Sequence, residues 1–118
     1  MKTDEVVVRE VMLRDGLQNI PEFIPTEAKI ELFRLIVASG LRSLEVTSFV
    51  SPKAIPQFRD AAQVVQATSK MTPKGVEVSA LIPNLKGAQL AVESGMRKVG
   101  LVMSVSEFHN INNFMRTT

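Results

Sequence analysis

The chain has 118 residues, of which 45% are hydrophobic and 22% are charged, a composition typical of a soluble globular domain with one core. No apolar run reaches the roughly 18–20 residues of a membrane-spanning helix, and the N-terminus lacks the apolar segment of a signal peptide. Fourteen basic and twelve acidic residues give a net charge of +2 without any Lys/Arg cluster, so a nucleic acid is not expected as a partner. The absence of cysteine excludes disulfides, thiolate metal sites and a cysteine nucleophile.

Apolar segments and helical patterns alternate along the chain. The predicted strands are residues 6–13, 41–49, 76–82 and 98–105. The predicted helices are 26–39, with Thr26 as its cap and Gly40 after its end, 57–70 and 85–94. Strands that alternate with helices predict a parallel sheet. The pattern leaves open a doubly wound sheet or part of a (β/α)₈ barrel, although no G-x-G-x-x-G follows the first strand, which disfavours a dinucleotide site.

Polar side chains follow the predicted strands at the points where they end. The carboxyl ends of parallel strands meet at one edge of the sheet, where α/β proteins bind their ligands. We therefore expect one rim to carry Arg14 and Asp15 from the first strand, Glu45, Thr47 and Ser48 from the second and Asn84 from the third.

Arg14 and Asp15 form the most suggestive pair on this rim. A carboxylate at a strand end can ligate Mg²⁺ or Mn²⁺, and a neighbouring guanidinium offers a planar donor fork to an anionic oxygen. The alternative is structural, because the same two side chains can form salt bridges that tie the loop down. The spacing alone does not decide between the two readings.

Glu10 and Glu45 lie inside predicted strands, where a charge is costly unless it is paired. One interpretation is an Arg–Glu pair inside the sheet, and the other is a carboxylate that orients Arg14 or the water of a metal. We expect a supporting role for Glu10 and an active-site role for Glu45. The single histidine, His109, lies in a polar tail and is more typical of a surface side chain than of a ligand.

Four segments carry a resemblance to a known family. They are residues 10–18 (EVMLRDGLQ), 24–26 (IPT), 44–53 (LEVTSFVSPK) and 83–87 (PNLKG). Together and in this order they resemble the hydroxymethylglutaryl-CoA lyase family, metal-dependent TIM-barrel lyases related to isopropylmalate and homocitrate synthases. The resemblance implies an α/β fold in which residues 1–118 form a single partial domain, the N-terminal half, about four β/α units with parallel strands, of a (β/α)₈ barrel.

The resemblance also implies a reaction. The family cleaves 3-hydroxy-3-methylglutaryl-CoA to acetyl-CoA and acetoacetate in leucine degradation or ketone-body formation, by a retro-Claisen reaction that needs Mg²⁺ or Mn²⁺. Carried over by motif, Arg14 and Glu45 would be catalytic, with Arg14 stabilising the enolate oxygen, and Asp15 would be a metal ligand. The residues that would bind substrate are Arg14, Gln18, Thr47, Ser48 and Asn84, and Glu10 would support the end of the first strand.

Some features depart from the family pattern. Met12-Leu13 stands where the family commonly has Gly-Pro, which keeps open a lyase-like relative with another branched 3-hydroxyacyl-CoA substrate. The family's later H-x-H metal pair needs two histidines and this chain has one, and its catalytic cysteine is absent too. A full barrel needs about 250 residues. We therefore expect part of a longer enzyme, inactive alone, or else a non-catalytic half-barrel that assembles with a partner.

The expected partners follow from the same resemblance. It implies an acyl-CoA substrate and, for the full-length protein, a homo-oligomer, namely a dimer. The N-terminus lacks an Arg-rich presequence, and this predicts a cytoplasmic location without membrane attachment.

Overall fold

The computed structural model describes residues 5–102, and in this range strands and helices alternate along the chain. The strands are β1 (Arg9–Glu10), β2 (Ser43–Ser48), β3 (Glu77–Ile82) and β4 (Val99–Leu101), and the helices are α1 (Thr26–Ala38), α2 (Ala61–Met71) and α3 (Leu85–Glu93). All neighbouring strands are parallel, and their order is β1-β2-β3-β4. A doubly wound sheet reverses its strand order at a switch point. The unbroken order therefore favours a barrel-type sheet and confirms the predicted α/β class.

The three helices cover one face of the sheet. Helix α2 packs against α1, α3 and β2, while α3 packs against β3. The buried core lies between these layers and consists of apolar side chains that include Phe33, Ile36, Leu44, Val46, Val64, Val65, Ala80, Ile82 and Ala91. Burying this stripe of each helix is what holds the layers together.

Strand β2 contains one residue more than its partner β3. Glu45 pairs with Ser79 and Thr47 pairs with the next residue, Ala80, so Val46 is the extra residue of a bulge. Side chains of paired residues share a face of the sheet. The bulge therefore places Ser48, which pairs with Leu81, on the same face as Glu45, away from the helices.

The first strand is much shorter than predicted. Residues 6–13 were expected to form a strand, but β1 covers only Arg9–Glu10 and Val6–Val8 are exposed. Residues Met12–Gly16 instead form one π-helical turn, in which the Val11 carbonyl accepts from the amides of Arg14, Asp15 and Gly16 at 3.1, 2.7 and 3.2 Å. The apolar, β-branched composition of residues 6–13 predicts a strand. In the structure, the backbone amides that follow this segment donate to the Val11 carbonyl and form a helical turn.

Two helix starts also differ from the prediction. Thr26 is the first residue of α1 and not its cap, because its hydroxyl donates to Asp60 Oδ2 at 2.7 Å while Pro25 occupies the cap position. Helix α2 starts four residues later than expected, since Pro56–Phe58 form a separate 3₁₀ turn.

The predictions for the end of the fourth strand beyond residue 102, for the polar tail and for His109 lie outside the described residues. Across residues 5–102, no helix has both the length and the apolar character that crossing a bilayer demands.

The start of α3 requires a glycine at position 87. Asn84 caps the helix by accepting a hydrogen bond from the Gly87 amide at 2.9 Å. A Cβ atom on Gly87 would lie 2.8 Å from Pro83 Cδ and 3.1 Å from the Phe49 carbonyl oxygen. The backbone of the first turn of α3 therefore packs directly against the end of β2, with no side chain between them.

This close approach predicts that Gly87→Ala destabilises the chain. Alanine in an unconstrained helix stabilises by roughly 0.5–1 kcal/mol relative to glycine, whereas overpacking costs roughly 1–3 kcal/mol. Urea unfolding of the 118-residue chain measures the balance. Gln89→Ala, an exposed change on the same helix, is the matched control and should leave the free energy of unfolding nearly unchanged. A Gly87→Ala chain more stable than the parent would contradict the contact.

A charged pair lies at the opposite, N-terminal edge of the sheet. Lys98 Nζ contacts Glu77 Oε1 at 2.6 Å. The hydrogen bond from Lys98 lowers the pKa of Glu77 below its ordinary value of 4.5; desolvation partly opposes this effect, and the charges of Lys98 and Arg9 lower the pKa by smaller amounts. The folded chain therefore binds a proton at Glu77 less readily than the unfolded chain does.

The lowered pKa of Glu77 determines the direction in which the free energy of unfolding changes with pH. The stabilisation by Glu77 is complete above the unfolded pKa of about 4.5 and disappears as the pH falls through the lower pKa of the folded state. In urea unfolding, Glu77→Gln should lower the free energy of unfolding at neutral pH, and this deficit should vanish in strong acid. Lys98→Gln should show the same trend, and a deficit independent of pH in both variants would contradict it.

Candidate active site

The Arg14 side chain is fixed through two of the three nitrogens of its guanidinium. Its Nε donates to Glu45 Oε1 at 2.5 Å, and its Nη1 donates to Gln18 Oε1 at 3.1 Å and to Asp15 Oδ1 at 3.3 Å. A guanidinium has five N–H groups. Among residues 5–102 the two on Nη2 meet no hydrogen-bond partner. The cation is thus held in a defined orientation while its remaining donors stay available. We call Arg14, Glu45, Asp15 and Gln18 the Arg14 cluster.

Glu45 is the buried member of the cluster, with 6% of its surface exposed. It lies in the middle of β2, where the lack of a side chain at Gly100 leaves space, since a Cβ there would stand 3.8 Å from Glu45 Oε2. A buried carboxylate requires a partner of opposite charge and hydrogen bonds. Arg14, on the turn that follows β1, supplies the opposite charge and a hydrogen bond to Glu45.

The π-helical turn brings Arg14 to this position. At the start of the turn, Glu10 Oε2 accepts a hydrogen bond from the Met12 amide at 2.9 Å. The Val11 carbonyl then accepts hydrogen bonds from the amides of residues 14–16. Leu13, inside the turn, is buried in the core. These contacts leave Arg14 and Asp15 at the carboxyl end of β1, and the contact of Glu10 fits its predicted supporting role.

Asp15 differs from Glu45 because its side chain is 66% exposed. A single exposed carboxylate can offer one oxygen to a hard divalent cation, but a stable site needs several ligands. In the part of the chain that the structure covers, no three Asp, Glu, His or Cys side chains lie close enough to hold a metal ion. These residues therefore fit one ligand of a metal site and do not form the site itself.

The remaining predicted substrate residues take separate positions. Ser48 is buried, and its hydroxyl finds no hydrogen-bond partner within residues 5–102, although it shares the face of Glu45. Thr47 lies on the other face through its register with Ala80, and the side-chain oxygen of Asn84 caps α3. The structure therefore brings together Arg14, Glu45, Asp15 and Gln18, and the catalytic, metal-binding and substrate-binding roles of all the predicted site residues stay predictions.

A second polar network was missed by the sequence analysis. Lys29 and Asp60 form an ion pair of 2.7 Å with side chains that are 3% and 7% exposed, and Gln57 is buried beside them. One signal was present in the sequence: Lys29 stands four residues before Phe33 and seven before Ile36, on the buried stripe of α1. A charge on such a stripe indicates a buried partner elsewhere in the chain.

The sequence profile of the HMGL-like family matches residues 5–118. The chain belongs to this family. The match includes the whole described range, so all members of the Arg14 cluster lie within it.

Relatives of this HMGL-like chain are CoA-ester lyases. Hydroxymethylglutaryl-CoA lyase YngG of Bacillus subtilis is 43% identical over 114 residues, which are 97% of this chain and 38% of the relative. The (R)-citramalyl-CoA lyase of Chloroflexus aurantiacus is 33% identical over 98% of this chain and 39% of the relative. The chain thus spans less than half of the length of these relatives.

A solved structure has the same fold as this HMGL-like chain. The HMG-CoA lyase of Acinetobacter baumannii, in complex with coenzyme A and 3-methylmalate, superposes with a TM-score of 0.88 at 45% identity, over 94% of this chain and 36% of that one. Such neighbours are TIM barrels, matched over the N-terminal part of their chains. The prediction of the N-terminal β/α units of a barrel is confirmed.

The Arg14–Glu45 contact predicts a strong energetic coupling. Arg14→Met leaves the Glu45 carboxylate buried without a cation, which costs about 3 kcal/mol, while Arg14→Met with Glu45→Leu removes both charges and should recover much of this loss. Urea unfolding of the two single variants and the double variant measures the coupling. Arg34→Met, which breaks an exposed pair with Glu31, is the control and should cost less than about 1 kcal/mol. Additive losses at Arg14 and Glu45 would contradict the pair.

Proposed function

We propose that this chain supplies the Arg14 part of the active site of a carbon–carbon lyase that cleaves 3-hydroxy-3-methylglutaryl-CoA to acetyl-CoA and acetoacetate. The observation that carries the proposal is the anchored guanidinium at the carboxyl end of β1, whose two Nη2 donors have no hydrogen-bond partner among residues 5–102. Membership of the HMGL-like family and the relative that holds coenzyme A support an acyl-CoA as the substrate.

The reaction explains why a fixed cation is needed. The tertiary hydroxyl loses its proton, the C2–C3 bond breaks, and C3 becomes the ketone carbon of acetoacetate. The electron pair of the broken bond moves onto C2 and the thioester oxygen as an enolate, and protonation of C2 gives acetyl-CoA. A donor that already points at the thioester oxygen stabilises the developing charge without reorganisation. We assign this task to Nη2 of Arg14.

Other side chains serve this arrangement. Glu45 contacts Arg14 through Nε, so we propose that it acts by fixing the guanidinium, and Gln18 does the same through Nη1. The buried hydroxyl of Ser48, on the face of Glu45, would gain a partner from a polar group of the substrate. Direct contacts from Thr47 and Asn84 remain expectations from the family resemblance.

Asp15 would supply one oxygen ligand to Mg²⁺ or Mn²⁺. When bound, such a cation polarises substrate oxygens and makes a coordinated hydroxyl more acidic. Because no three Asp, Glu, His or Cys side chains lie together within residues 5–102, further ligands would come from elsewhere. A role in leucine degradation would follow from the substrate, while the dimer and the cytoplasmic location remain predictions.

A second candidate is a lyase for another branched 3-hydroxyacyl-CoA. The similarity to (R)-citramalyl-CoA lyase supports it. So does Met12, the first residue of the π-helical turn that carries Arg14, which is 43% exposed and whose Cγ would be 3.4 Å from a Cβ on Gly16. A bulkier side chain at this rim could change the acyl group that fits. A panel of acyl-CoA substrates distinguishes the two candidates.

The test joins residues 1–118 to the remaining β/α units of the Bacillus subtilis relative. With Mg²⁺ or Mn²⁺ present, this chimaera should release acetyl-CoA and acetoacetate from 3-hydroxy-3-methylglutaryl-CoA. Arg14→Lys should lower kcat about 100-fold, since the ammonium loses the fork geometry and the anchoring contacts. Arg34→Lys is the matched control and should retain the parent rate. A folded chimaera that is equally active with Arg14→Lys would overturn the assignment, and a faster reaction with (R)-citramalyl-CoA would favour the second candidate.

A further inference from the structure

Gln57 is a buried side chain that binds the backbone of a neighbouring loop. It lies on the 3₁₀ turn that precedes α2, and it is 4% exposed. Its Oε1 accepts from the Ile24 amide at 2.9 Å, and its Nε2 donates to the carbonyls of Ile20 and Glu22 at 3.1 and 2.9 Å. One carboxamide thus holds three points of the segment that connects the Arg14 turn to α1. We call residues 17–24 the first loop.

Gln57 is itself fixed by the Lys29 network. Its backbone carbonyl accepts from Lys29 Nζ at 2.6 Å, and the same ammonium donates to Asp60 Oδ1 at 2.7 Å. The other oxygen of Asp60 accepts from Thr26 Oγ1 at 2.7 Å. These contacts join α1 to the start of α2, so the carboxamide of Gln57 projects from a rigid base.

The first loop leads directly to Arg14. Leu17 is buried in the core, and its carbonyl accepts from the Ile20 amide at 3.1 Å. Gln18 stands between Leu17 and Ile20, and its Oε1 receives the hydrogen bond from Arg14 Nη1. A shift of the loop at Ile20 would therefore move the acceptor that orients the guanidinium.

A cavity gives the loop space to shift. It has a volume of about 490 Å³, and its walls include Gln18, Ile20 and Phe23 on the first loop and Ile55 and Arg59 on the facing segment. The two segments touch where the Arg59 guanidinium lies 3.8 Å from the centre of the Phe23 ring. The hydrogen bonds of Gln57 add three fixed backbone points, at Ile20, Glu22 and Ile24, to this side-chain contact.

We propose that Gln57 is a positioning residue for Arg14, acting by holding the first loop so that Gln18 fixes the guanidinium. The proposal rests on the proposed function only in the statement that Arg14 meets the substrate. Its structural part, the link from Gln57 to Arg14, can be measured without any activity.

The variant for the test is Gln57→Met, which keeps the length of the side chain and removes all three hydrogen bonds. Gln63→Met, the same change at an exposed position of α2, is the matched control. In nuclear magnetic resonance spectra of the 118-residue chain, Gln57→Met should speed the hydrogen exchange of the Ile24 amide and shift the Arg14 Nε–H signal. The Arg34 Nε–H signal should stay as in the parent, and Gln63→Met should leave the exchange of the Ile24 amide and the Arg14 Nε–H signal unchanged.

The chimaera gives the second readout. Gln57→Met should lower kcat about 10–100-fold because the cation is misplaced, while KM changes less than threefold, since the rest of the binding site remains. Faster exchange at Ile24 with an unchanged Arg14 signal and an unchanged kcat would overturn the proposal. An inactive parent chimaera would count against the proposed function alone, because the resonance measurements decide the structural link independently.

A third measurement covers the case in which Gln57→Met does not fold. In the unsubstituted chain at low urea, the Ile24 amide and the Arg14 Nε–H should lose protection together, before the core amide of Val65 does. Loss of protection at Arg14 without any loss at Ile24 would also overturn the proposal.

Discussion

The buried carboxylate of Glu45 is the constraint on which the rest of the site depends. A charge in the middle of a strand is tolerated only if a cation and hydrogen bonds accompany it, and Arg14 from the preceding β/α unit supplies both. Because β1 is only two residues long, few backbone hydrogen bonds tie the following turn to the sheet. The ion pair therefore fixes the turn, and with it the positions of Asp15 and Gln18.

Two polar networks hold the loops at this edge of the sheet, and each connects a different pair of elements. The Arg14 cluster ties the turn after β1 to β2, and the Lys29–Asp60 pair ties α1 to the start of α2. Gln57 connects the second network to the loop that leaves the first. At this edge of the sheet, buried hydrogen bonds and ion pairs therefore supplement the apolar packing that holds the helices to the strands.

Local sequence patterns predicted much of this fold and part of the site. Helices α1 and α3 end near Gly40 and Gly95, whose positive φ angles suit the glycine that the pattern placed there. The pairing of Arg14 with a strand carboxylate was also anticipated, because a charge inside an apolar run requires a partner. The apolar run 6–13, by contrast, has the composition of a strand and forms one over only two residues.

The structural features that the sequence did not predict depend on contacts between residues that are distant in the sequence. Gln57 bonds to residues more than thirty positions away, and nothing in its own neighbourhood distinguishes it from an exposed glutamine. The sequence does not predict the bulge at Val46 either, because a bulge is defined only by the pairing of β2 with β3. Patterns of period 2 or 3.6 report which residues are buried, but they do not report which polar atoms meet.

The bulge in β2 makes this strand sensitive to length rather than to chemistry. Val46 can be exchanged for another apolar side chain of similar size with a modest loss of packing. Removing one residue between Glu45 and Ser48 would restore the regular pairing with β3, so Ser48 would stay opposite Leu81 on the face of Glu45. The same deletion would remove the local bend and the extra twist that a bulge gives to a strand. The extra residue therefore sets the direction of the chain between Glu45 and Ser48, and it leaves unchanged the face on which each of these two side chains lies.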